Sequence, residues 1–173
     1  MTEIAEAVIA AGAWRANVVR DFAGSELFDH TFREGMELVE ETAGYLDGAG
    51  RQESKRLDRA SALEYAGESM RLTTRLMQVA SWLLVQRAVR EGEMEAQLAC
   101  DARYRLSQDS VLGARGVGAE LPVGLIDLLG RSERLYDRVL HLDRRMYLEG
   151  DEAEDHSHPV LAQHEMLLAA FGA

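Results

Sequence analysis

The chain has a single cysteine, Cys100, among 173 residues. An intrachain disulfide and any site built from several thiolates are excluded, and a reducing compartment fits. Proline occurs only twice, at Pro122 and Pro159, and so few helix breakers favour long helices. An excess of positive charge is also missing. The 19 basic side chains face 30 acidic ones, a formal charge of -11, so the net attraction behind non-specific phosphate binding is absent. Glu3, Glu6 and Arg15 interrupt the mildly apolar opening, which therefore does not read as a signal peptide. The longest dense apolar run, Leu76 to Val85, is half of the ~20 residues a membrane helix needs. The expectation is a soluble, cytoplasmic protein, and 47% hydrophobic against 28% charged residues is the balance of a folded one.

What is present is helical periodicity. From Ser25 to Leu46, Phe28, Phe32, Met36, Val39, Ala43 and Leu46 recur at steps of three and four. Ser25 is the expected N-cap, and Asp47-Gly48-Ala49-Gly50 the stop, with two residues tolerant of left-handed backbone. A longer helix is predicted from Ser54 to Arg90, with Leu57, Ala60, Leu63, Met70, Met77, Ala80 and Leu84 as its apolar stripe and Gly92 as its end. A short helix follows over Met94–Leu106, then a glycine-containing loop. Pro122 opens a last helix to Leu148, whose stripe includes Leu125, Leu128, Leu129, Leu135, Val139, Leu142 and Met146. The fold class is all-α: an antiparallel three-helix bundle with one long central helix, a short extra helix and a C-terminal tail. Residues 1–22 read as an N-terminal arm or marginal helix, 23–148 as the bundle. Residues 149–173 are an acidic linker plus a short amphipathic helix, with Leu161, Leu167, Leu168 and Phe171 as docking anchors.

Catalytic constellations are missing. No histidine has a glutamate three residues before it, so the paired Glu-x-x-His set of a di-iron bundle is absent. His156 and His158 with Asp151, Glu152 and Asp155 could hold a divalent metal loosely, but a solvated acidic linker is the plainer reading; Cys100, for which His30 or His141 could supply a base, is read as packing. Gly113, Gly116 and Gly118 lack the spacing and preceding strand of a dinucleotide fingerprint. No catalytic, cofactor or metal residue is assigned. Eighteen arginines against the single Lys55 suit ion pairs and interfaces. Arg71, Arg75 and Arg138 are candidates for partner-binding charges, with intrachain pairing the plainer reading.

The run around Leu76–Val85 is apolar nearly all round, and such a helix must be covered on every side. Three helices of one chain leave part of that perimeter bare. The N-terminal arm, the short helix or a second subunit must cover the rest, and a two-fold dimer through Val79, Trp82, Leu83, Val85 and Gln86 is the preferred reading.

The segment from Tyr65 to Glu93 closely resembles the RcdA family, regulators of CtrA degradation in alphaproteobacteria. Phe32 to Glu53, with Val-Glu-Glu-Thr-Ala and Tyr-Leu-Asp-Gly, and Leu129 to Tyr147, with Gly-Arg-Ser-Glu-Arg-Leu-Tyr and Leu-Asp-Arg-Arg-Met-Tyr, agree with it as well. The resemblance spans about residues 22–148. It implies a non-enzymatic, homodimeric adaptor without cofactor, working with the ClpXP protease and a CpdR-like response regulator. Cell-cycle regulators such as CtrA would be its cargo, some of them through a PopA-like adaptor, and a cell pole its meeting place. A helical DNA-binding or transcription-regulating domain is the alternative function.

Overall fold

Ser25 separates the first two helices by serving both. Its hydroxyl donates to the Phe22 carbonyl at 2.7 Å, closing α1 (Thr2–Ala23), and accepts from the Phe28 amide at 3.2 Å, capping α2 (Glu26–Asp47). The computed structural model describes residues 2–106 and 120–147, with side chains from Gly12 onward. The loop expected after Leu106 lies outside these residues up to 119, as does the whole tail. Among the described residues no strand occurs.

The expected stop after Asp47 works differently. Gly48 has a φ of -105° and the chain continues into α3 (Ala49–Ser54), the only positive φ among the described residues being that of Gly92. Gly50 is needed for closeness instead. A Cβ there would lie 2.6 Å from both the Tyr45 ring and the Tyr65 hydroxyl. The long central helix, α4 (Arg59–Arg90), starts later than predicted, because the Asp58 carboxylate caps the Ala60 and Ser61 amides at 2.8 and 3.0 Å. Its 32 residues make a rod of about 48 Å. Gly92 ends it as expected, at φ 75° with the Glu93 amide returning to the Ala88 carbonyl.

The single short helix expected over 94–106 is two pieces. α5 (Ala96–Ala99) stops at Cys100, and the Asp101 carboxylate then caps the Arg103 amide of a 3-10 turn, Ala102–Tyr104. α6 (Val123–Tyr147) begins directly after Pro122 and buries Leu125, Leu128, Leu129, Leu135, Val139 and Met146.

Of three rods, only two pairs can be antiparallel. Arg90 pairs with Asp29, and Arg131 and Arg138 pair with Glu41 and Glu34, so α2 opposes both α4 and α6. Arg75 meets Ser132 while Gln86 meets Tyr147, so α4 and α6 run parallel. Leu106 is consequently placed at the Asp143 end of α6 and Leu121 at its beginning. Gly35 lets α2 and α4 cross closely: a Cβ there would lie 2.7 Å from Leu83 Cδ1.

α1 joins the bundle as a fourth long helix, where an arm or marginal helix was expected. Ala16, Val19 and Ala23 are buried and the Phe22 ring lies 5.6 Å from that of Trp82. This helix covers the Trp82 side of the perimeter that three helices leave bare, while Met77 and Leu84 stay exposed. The buried side of α4 consists of Tyr65, Leu72, Leu76, Val79, Trp82, Leu83 and Val89, together with Ser61, Glu68, Arg75 and Gln86. That corrects the predicted stripe: Leu63, Met70, Met77 and Leu84 are on the opposite, solvent-facing side.

Candidate protein-interaction face

Leu63, Met70, Met77 and Leu84 stand seven residues apart along α4 and are 76, 72, 64 and 51% exposed. A seven-residue repeat is the spacing of a helix seam that faces another helix. Between them the exposed positions are Ala60, Ala66, Thr73, Thr74 and Ser81, and the only charged side chains that reach solvent between Arg59 and Arg87 are the half-buried Glu64 and Arg71. Thr73 and Thr74 donate their hydroxyls to the Ser69 and Met70 carbonyls at 2.9 Å, spending their polarity on their own backbone. A solvated helix face normally carries charged residues. This one is an apolar ridge with small residues beside it.

A groove lies on each flank. Toward α2, Val39, Ala43, Leu46, Leu76 and Ala80 line an apolar cleft of about 240 Å³. On the other side, Ser81, Trp82, Val85, Arg103, Tyr104 and Arg105 line a groove of about 430 Å³ between α4 and the 3-10 turn. Met77 borders both. Covering four such side chains is worth roughly 4–8 kcal/mol before the costs of association.

Other groups that could have carried chemistry are occupied. Asp143, 1% exposed, accepts from Trp82 Nε1 and Arg105 Nη2, both at 2.9 Å, and from the Leu106 amide at 3.3 Å. Arg105 also stacks 4.9 Å from the Tyr147 ring centroid, and the Tyr147 hydroxyl donates to the Ala99 carbonyl at 3.2 Å. Burial pushes the Tyr147 phenol up to about 12. Both carboxylate oxygens of Asp143 face donors within the core, so this cluster clasps the residues after α5 onto α4 and α6. Cys100 gives its thiol proton to the Ala96 carbonyl at 3.3 Å, and burial pushes its pKa up, which favours the neutral thiol over a nucleophilic thiolate. Among the described residues, no group of three or more His, Cys, Asp or Glu could hold a metal ion, and no helix is long and apolar enough to cross a membrane.

The residues expected to face a second copy are placed elsewhere. Val79, Trp82, Leu83 and Gln86 are at most 1% exposed inside one protomer, and Val85 is half-buried at the larger groove. The physical reason for this correction is the cover supplied by α1 and α6. Arg71 pairs with Glu68. Arg75 is buried, donating to Ser132 at 2.9 Å with Glu133 at 3.5 Å. Arg138 meets Glu34 at 2.6 Å. All three candidate partner-binding arginines thus have intrachain partners. Leu161, Leu167, Leu168 and Phe171 lie outside the described residues. The ridge itself went unrecognised as an exposed face, although its strict seven-residue interval was the available signal. A straight helix drifts ~20° per heptad away from a 3.6-residue core stripe.

A family model described as "Protein of unknown function (DUF1465)" matches residues 19–171, beginning within α1. A solved structure, "Crystal Structure of RcdA from Caulobacter crescentus CB15", is 66% identical, with a TM-score of 0.63 over 75% of this chain and 98% of that one. No curated protein matches. The chain belongs to the RcdA family, matched by the DUF1465 model.

Proposed function

We propose that this protein is a non-enzymatic adaptor that helps deliver cell-cycle regulators to the ClpXP protease. The observation that carries this reading is the exposed apolar, heptad-spaced ridge of α4, on a chain 66% identical to RcdA. Its ridge suits a protein partner better than a substrate, because it offers apolar area with no convergent polar groups. Two copies of the chain meet along Leu63, Met70, Met77 and Leu84, a self-complementary patch that needs only a two-fold axis. The dimer then works with a CpdR-like response regulator, and with a PopA-like adaptor for cargo such as CtrA. Delivery operates by effective concentration: tethering cargo beside the protease gains on the order of 10²–10⁴ in avidity. Gathering at a cell pole belongs to the same reading.

The test is reconstituted degradation of CtrA by ClpXP with CpdR and PopA, with and without the chain. The expected result is faster cargo loss with the chain present and slower loss with Met77→Glu. Identical rates with and without it would remove the proposal. Binding to duplex DNA that weakens with salt would favour the DNA-binding alternative instead.

A further inference from the structure

We infer that the larger groove, between α4 and the 3-10 turn, is the seat of the chain's own C-terminal segment, residues 159–171. The described structure stops at Tyr147, and that residue lies at the groove's edge. Its ring is stacked by Arg105, which also lines the groove, and its hydroxyl is 3.5 Å from Gln86 Nε2, one residue beyond the lining Val85. The twelve residues 148–159 reach on the order of 20 Å as a flexible chain. The segment they carry is therefore delivered to this groove at high effective concentration, while Leu63 lies about 21 Å further down α4 from Met77.

The two surfaces match in chemistry. The groove is lined by Met77, Trp82, Val85 and Tyr104 with Arg103 and Arg105 at one side. Val160, Leu161, Leu167, Leu168 and Phe171 fall at helical intervals, and one helical face bearing them fits an apolar cleft between helices. Residues 149–158 carry five acids and no lysine or arginine. They follow Arg144 and Arg145 in sequence, and Arg103 beside the groove is 61% exposed, its nearest carboxylate being Asp101 at 3.6 Å. A helix of this length is marginal alone in water, so docking also supplies its reason to form. The assignment does not rest on the adaptor reading, although a seated tail and a partner of the α4 ridge share Met77.

The test uses the full chain with Cys100→Ala, Ser81→Cys and Ala170→Cys, oxidised at low protein concentration. An intrachain disulfide should close at least about tenfold faster than in the matching Leu63→Cys and Ala170→Cys chain, the gain expected of a docked rather than a merely tethered segment. Adding Leu168→Asp should erase that advantage. Equal rates at Ser81 and Leu63, or a rate unaffected by Leu168→Asp, would overturn the assignment. A disulfide formed between chains would overturn it as well, by placing the segment on a second copy.

Discussion

Trp82 donates its indole N–H to Asp143 across 2.9 Å, joining the last third of α4 to the last turns of α6 where both residues are 1% exposed. The same carboxylate receives Arg105 and the Leu106 amide, so one buried acid ties together three segments that are far apart in the chain. Removing it leaves a guanidinium, an indole and an amide short of an acceptor. Asp143→Ala is expected to cost about 3–5 kcal/mol, the usual penalty for breaking a buried charged pair. Urea denaturation reads this directly, and a loss under 1 kcal/mol would show the clasp to be dispensable.

Exposed and buried apolar residues of α4 should behave oppositely. Met77→Glu changes a residue that is 64% exposed and is expected to leave the melting temperature within a few degrees. It should weaken self-association about 10²-fold or more, as for an interface hot spot. Trp82→Ala, in contrast, opens a cavity in the core and should cost about 3–5 kcal/mol. Sedimentation velocity paired with thermal unfolding separates the two. A monomer in the unmodified chain at micromolar concentration would dispose of the dimer.

Gly35 is placed where α2 crosses α4, and its absent Cβ leaves room for Leu83. Gly35→Ala gains up to about 1 kcal/mol of helix propensity but overpacks the crossing by about 1–3 kcal/mol. The net change is a loss. Leu83→Val in the same chain is expected to recover part of it, since the shorter side chain vacates the contested space. Strict additivity of the two substitutions in denaturant melts would contradict the contact.

Alkaline pH should destabilise the fold through Tyr147. Its phenol, ordinarily near 10, is pushed up to about 12, first by burial, so folding favours the protonated form. The stability this provides is complete below pH 10 and is lost as pH rises toward 12. Over that window it amounts to roughly 2–3 kcal/mol. Tyr147→Phe should flatten this part of the pH–stability curve. A slope unchanged by the substitution would assign the alkaline loss to other groups, among them Tyr45, whose phenol is also raised by burial and by its bond to Glu53 at 2.7 Å.

Local chemistry was legible without coordinates. Ser25, Gly92 and Pro122 mark helix ends through interactions within a turn of themselves, and a short-range hydrogen bond or a missing amide is written into neighbouring residues. Those three positions therefore behave as read. Where capping depended on a less obvious donor set, as at Asp58, the boundary moved by a few residues. The all-helical class and the long central helix likewise follow from spacing alone.

The amino-acid order by itself determined that the chain makes long helices and that α4 is apolar on more than one side. It could not decide which side points inward. Glu68, Arg75 and Gln86 look like surface residues in a linear reading, yet they are buried. Arg75 and Gln86 find partners 57 and 61 positions away, at Ser132 and Tyr147. Once Arg75 and Gln86 meet those partners on α6, Glu68 pairs with Arg71, and α1 covers Trp82, the methionines and leucines on the other side are left to solvent. Tertiary structure decided this because a buried polar group is tolerated only where a distant partner meets it, and that meeting exists only in the assembled bundle.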